Sequence, residues 1–325
     1  MPRDRVLATA VALLALCAPA VAQEWPTRPV TMVVPFAPGG VYDTLGRVYA
    51  ASLSEILGQQ VIVENVPGAG SMTGATRVAR ADPDGYQVLF GGESPSAQVQ
   101  LLHKEPPYDA AKDFVPVALV AQQPLILTTR NGIPAGNLPD FIAYAKANQA
   151  KMQYGSPGTG TGSYLTCALF NVAIGVKITH VPYRGLAPAM QDLLAGRIDY
   201  MCPTITTAMA QLQGHQVQAP AVLGRERSPA FPDIPTAEEQ GLKGFEANSW
   251  NAMFLPKATP APIIAKLNAA VRAAMEKPEV RQRVRELGAS LPPPDHRTPQ
   301  YLQTFVESEI KTWGAAIKAA GITAE

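Results

Sequence analysis

The chain has 325 residues, 47% of them hydrophobic and 16% charged, with 27 basic residues set against 26 acidic ones. That balance leaves no electrostatic footprint for nucleic acid or an anionic membrane surface. The length is enough for two domains, each with a substantial core.

Arg3 and Arg5 precede an apolar run over residues 6–16, and Ala20-Val21-Ala22 follows. This reads as a secretory signal at residues 1–22, cleaved after Ala22, with an apolar core too short to span a bilayer. A lipoprotein anchor at Cys17 is disfavoured, because Leu16 stands where a small residue is expected. Removal of the signal leaves 25 basic and 25 acidic residues and a formal charge of zero. No later segment reaches the roughly 18 uninterrupted apolar residues of a membrane span. Two cysteines remain, Cys167 and Cys202. Export permits a disulfide between them. A chain of this size has core enough without a staple, so the sequence favours two buried thiols.

Strand patterns occur at residues 30–34, 61–64, 87–90, 115–120 and 125–129. Between them, residues 43–57 carry Leu45, Val48, Tyr49, Leu53, Ile56 and Leu57 at helical spacing, with Gly58 as the stop, and 74–81 is a shorter helix. The alternation predicts an α/β fold with a parallel or mostly parallel sheet. The same grammar restarts after residues 131–134: helix 138–148, a strand ending at Tyr154, a helix to 173, strand 178–181, helix 187–194, and strands 198–202 and 218–223. After Trp250 come a strand at 251–255 and helices at 262–275, 278–287 and 298–320. These last helices are expected to return to the first unit. The strands near Leu125 and Trp250 would then be two crossings forming a hinge. The expected lobes are residues 23–125 with 248–325, and residues 126–247.

Two glycine-rich turns stand out, each placed between a strand and a helix. Such turns aim free backbone N–H groups and the positive end of a helix dipole at one spot, which suits an anion. In the first, Gly39 and Gly40 allow close approach of a ligand; Phe36 and Tyr42 would flank it, and Asp43 would cap the following helix. In the second, Ser156, Gly158, Thr159, Gly160, Thr161, Gly162 and Ser163 alternate hydroxyls with glycines. The spacing is G-x-G-x-G rather than G-x-G-x-x-G, and no acidic ribose partner follows, so a dinucleotide is disfavoured. Ser94 and Ser96 should reach the cleft from the first lobe, and Pro203 and Thr204 from the second. Glu93 is expected to point to solvent, the other reading being contact with a ligand ammonium.

No catalytic or metal-binding set is legible. His103, His180, His215 and His296 are scattered without ligand spacing, and no G-x-S-x-G elbow appears. No cofactor is implied.

The chain resembles the substrate-binding receptors of tripartite tricarboxylate transporters, the Bug or TctC-like proteins. The resemblance is carried by residues 25–29 (Trp-Pro-Thr-Arg-Pro), 33–43 with Arg47, Val63-Glu64-Asn65 with Pro67-Gly68-Ala69-Gly70 and Gly74, and residues 81–86. It continues through Val181-Pro182-Tyr183-Arg184-Gly185 with Pro188, then residues 192–196 and 231–236. It implies a type II periplasmic-binding-protein fold of two α/β lobes joined by two crossing strands. It also implies a small carboxylate held by backbone amides and hydroxyls of the two turns, often with ordered water. A membrane permease would be the partner of a monomeric receptor. Tyr164 departs from the histidine of many relatives, and Pro203 from a common acidic residue. The tyrosine favours an aromatic mono- or dicarboxylate, with an aliphatic dicarboxylate next. A sensor presenting its ligand to a membrane kinase, or a secreted hydrolase, are the alternatives from other classes.

Overall fold

The computed structural model describes residues 25–134, 136–319 and 321–322, so the expected signal and its cleavage site lie outside the described residues. The first sheet holds β1 (Val30–Val34), β2 (Val61–Asn65), β3 (Gln87–Gly92), β4 (Phe114–Pro124) and β10 (Asn248–Pro256), in the order β2-β1-β3-β10-β4. The second holds β5 (Ile126–Arg130), β6 (Gln153–Ser156), β7 (Thr179–Pro182), β8 (Tyr200–Met201) and β9 (Val217–Val222), in the order β7-β6-β8-β5-β9. In each sheet one strand opposes the other four: β10 is antiparallel to β3 and β4, and β5 is antiparallel to β8 and β9. The opposing strand is in both cases the one that enters from the other sheet. The two sheets thus share one plan without sharing sequence.

The crossings sit side by side. β4 passes through Leu125 into β5, and Ala247 leads back into β10; Leu125 N–H donates to Ala247 O, and Ala247 N–H to Leu223 O.

Both sheets are covered on two faces, which is why their strands read as nearly continuous apolar runs. On β1, Met32 and Val34 face one core while Val33 faces another. The first core is closed by α1 (Val41–Leu57) and, from the far end of the chain, α7 (Ala261–Glu276) and α8 (Pro278–Glu286). The second is closed by α2 (Met72–Ala79) and by α9 (Pro299–Ala319), through Leu302 and Val306. In the second sheet α3 (Leu138–Asn148) and α4 (Gly162–Ile174) cover one face, α5 (Leu186–Leu194) and α6 (Ile205–Gln213) the other.

Three details depart from expectation. The α1 helix begins at Val41, before Asp43, because Gly40 holds the extended conformation of the N-cap. The strand expected over 198–202 shortens to Tyr200–Met201, and α6 follows it with Ile205, Ala208 and Leu212 on its buried face. Cys167 and Cys202 are disulfide-bonded, with Cα atoms 5.7 Å apart, rather than free thiols. The α4 helix packs in the same core as β8, so both sulfurs lie buried in one cluster.

Candidate ligand-binding cleft

Strands that share a direction end on the same side, so the loops after β1, β2, β3, β6, β7 and β8 converge on one cavity of about 550 Å³. That volume is ordinary for a small-molecule site. Leu125 and Ser249, from the two crossings, also line it.

The cavity gathers helix N-termini. Those of α1, α5 and α6 have no side-chain cap at Gly40, Gly185 and Thr204, which leaves N–H groups free for another acceptor. The α4 terminus is capped by Thr161, whose Oγ1 accepts from Tyr164 N at 3.4 Å and donates to Gly158 O at 2.7 Å. Next to it Ser163 Oγ is buried, lines the cavity and has no hydrogen-bond partner among the described residues. A buried hydroxyl without a partner at a helix N-terminus is an unfilled demand for an acceptor.

Two further turns, named above only as carriers of the resemblance, also belong to the cavity. Gly68, Ala69, Gly70 and Ser71 all have positive φ (136°, 46°, 64° and 100°) and line the cavity. Two of these are not glycine, and holding them left-handed costs of order 1 kcal/mol each, a strain typical of ligand-contacting backbone. The second is the stretch Tyr183, Arg184, Gly185 and Leu186. Both repeat the signature of the first two, glycine between a strand and a helix, and both were legible as such.

Of the expected residues, Phe36, Gly40, Tyr42, Ser94, Gly158, Thr161, Gly162, Ser163 and Thr204 line the cavity. Phe36 and Tyr42 stack with ring centroids 4.3 Å apart. Ser94 Oγ lies 2.9 Å from Gly70 O and 3.1 Å from Gly160 O, so one hydroxyl ties the loops of both sheets together. Eight others stand outside the lining: Gly39, Asp43, Ser96, Ser156, Thr159, Gly160, Tyr164 and Pro203. Asp43 is not the cap of α1: its carboxylate folds back to accept from Gly39 N at 3.0 Å and pairs with Arg47 at 2.8 Å. Burial pushes its pKa up, but these contacts outweigh burial and hold it below the ordinary value. Ser156 is fully buried, 2.7 Å from His180 Nε2. Burial lowers His180 to about 4, so the ring is neutral and the pair is a structural strut beneath the turn. Tyr164 lies against that same ring, with centroids 4.6 Å apart and the planes tilted by 47°, and packs toward Leu165 and Ile317. Ser96 is buried, and Pro203 lends its carbonyl to Ile126 N at 2.9 Å.

The cavity has one acidic and one basic lining side chain among the described residues, Glu93 and Arg184. Arg184 is exposed at the rim and forms no ion pair among the described residues. Glu93 is the clearest correction: it is 4% exposed rather than solvent-facing. Its carboxylate accepts from Ser249 Oγ (2.8 Å), Trp250 N (3.0 Å) and Tyr42 Oη (3.1 Å). Burial drives its pKa up to about 7 against the pull of these donors.

Against this geometry, the family profile described as "Tripartite tricarboxylate transporter family receptor" matches residues 45–322. The chain belongs to this family. The solved structure of MatC from Rhodopseudomonas palustris with bound malate is 40% identical, with a TM-score of 0.87 over 90% of this chain and 100% of that one. The periplasmic binding protein BugD is 38% identical, with a TM-score of 0.86 over 93% and 100%. A second R. palustris protein, solved with adipate, is 34% identical, with a TM-score of 0.88 over 93% and 100%. The two sheets of this receptor are therefore the two lobes of a periplasmic-binding-protein fold, and the family is one of solute receptors rather than enzymes.

Proposed function

We propose that the protein is an exported periplasmic receptor that captures one short aliphatic dicarboxylate between its lobes and delivers it, as a monomer, to a tripartite transporter permease. The observation that carries this reading is the convergence, on one cavity, of uncapped helix N-termini and a Ser163 hydroxyl without a partner among the described residues, with Arg184 the lone lining cation among them. One ligand carboxylate would take the N–H groups of the turns. The other would lie toward Arg184, with the carbon chain over the Phe36–Tyr42 stack. An aromatic acid loses ground, because its main support, Tyr164, packs on His180 outside the lining. The malate and adipate held by the two R. palustris relatives support a four- to six-carbon diacid. Export and delivery rest on the N-terminal pattern of Arg3, Arg5 and residues 6–22, together with the family.

A thermal-shift screen over mono-, di- and tricarboxylates and acidic amino acids tests the reading. A ligand at a hundred times its Kd stabilises the native state by about 2.7 kcal/mol, a readily measured rise in Tm. Aliphatic diacids should give the largest rise; a flat response to every carboxylate refutes the assignment.

A further inference from the structure

A receptor for anions has placed an acid in the wall of its own cavity. Glu93 follows β3, is buried, and lines the cleft between the lobes. Three donors hold it from the first lobe and the crossing strand: Tyr42 from α1, and Ser249 and the Trp250 amide from β10. From the other lobe comes the first residue of α4. A Cβ added to Gly162 would stand 2.7 Å from Glu93 Oε1, so the carboxyl rests on the helix N-terminus that the second glycine turn presents. The acid therefore occupies ground that an anionic ligand also needs.

We propose that Glu93 makes ligand capture proton-coupled: the receptor takes up its dicarboxylate together with one proton, which resides on the Glu93 carboxyl and lets that group face the bound anion as a neutral donor. This rests on the carboxylate-receptor reading above. Two carboxylates confined in one shared site do not both stay ionised; one of them binds a proton. The ligand's carboxyls titrate well below neutrality, whereas Glu93 already stands at about 7 because burial disfavours its charge. A ligand anion beside it raises it further.

Among the described residues, the groups around Glu93 leave no other site for that proton. The titratable contact from α1 is Tyr42, whose phenol burial lifts well above its ordinary value, so it stays neutral throughout. The β10 partners, Ser249 and the Trp250 amide, do not titrate, nor does Gly162 of α4. Arg184, which also lines the cavity, forms no hydrogen bond to Glu93. Its presence favours the ligand and leaves the acid without a cation of its own.

The sign follows from linkage. The bound state holds the proton more tightly than the free state, so affinity is full below the free-state value near 7 and falls as pH rises above it. The fall is up to about tenfold per pH unit, until the bound-state value is passed.

Calorimetric titration between about pH 6 and pH 9, where the ligand remains ionised, tests this. Malate is the probe, with adipate used if malate gives no melting shift. Each pH is run in two buffers of different ionisation enthalpy, so that protons taken up are counted. The expected result is uptake approaching one proton per ligand above neutrality, with Kd rising about tenfold from pH 7.5 to 8.5. Glu93→Gln, which presents a permanently neutral side chain, should flatten that slope and abolish the uptake; thermal melting checks that it folds. If the variant does not fold, the proton count on the wild type still decides. Tight binding at every pH with no proton uptake overturns the proposal and leaves the receptor reading intact. No binding of either diacid overturns the receptor reading itself.

Discussion

The Cys167–Cys202 disulfide offers a perturbation whose size follows from the chain. It joins α4 to the end of β8 across 35 residues of sequence. Closing a loop of that length in the unfolded chain removes about 13 cal/mol/K of entropy, equivalent to about 4 kcal/mol at 25 °C. Compactness of the denatured chain reduces the observed effect, so we expect a loss of about 2–4 kcal/mol on reduction. The assay compares urea unfolding of the oxidised protein with that of protein reduced in denaturant and refolded under reductant. A slope of about 2 kcal/mol/M translates the loss into a midpoint lower by about 1–2 M. The pairing bears on the site as well, because Cys202 directly precedes Pro203 and Thr204, and Cys167 lies one helical turn after Ser163. Coincident transitions for the two forms would refute the claim that this bond restrains the second lobe.

Gly70→Ala should weaken diacid binding about tenfold in calorimetry, since its Cβ would stand 2.6 Å from Thr159 O across the cleft at a φ of +64°. Gly39→Ala meets nothing within 4 Å and serves as the strain-only control, so equal losses in the two would remove the close-approach argument. Arg184→Ala should cost a diacid about 1–2 kcal/mol of binding and a monoacid far less; equal losses would dissociate Arg184 from a second carboxylate. Glu93 also predicts a stability profile. Its folded value near 7 lies above its unfolded value of about 4.5, so the native state holds the extra proton between them and stability falls as pH rises through that window. Relative to Glu93→Gln, the wild type should lose of order 1 kcal/mol per pH unit there and level off above it; parallel profiles in chemical denaturation would contradict the burial of this acid.

Local chemistry was enough to write much of this receptor from its sequence. The apolar runs at residues 30–34 and 87–90 are strands because both faces of a covered sheet must be apolar, and α1 shows its stripe through Leu45, Tyr49 and Leu53. Glycine between strand and helix marked the turns at Gly40 and Gly162, and the same signal stood at Gly68–Gly70 and Gly185, where it served the resemblance but not the site. What the chain could not declare locally is which side chains share a space. Glu93 resembles a loop acid until Tyr42, Ser249 and Gly162, drawn from three distant elements, close around it. Tyr164 resembles a ligand contact until His180 claims its ring, and Cys202 resembles a free thiol until α4 brings Cys167 beside it. Periodicity and turn chemistry act over a few residues and so can be read in order. Burial, desolvation and pairing depend on contacts between residues from 16 to 157 positions apart, and only the folded chain decides them.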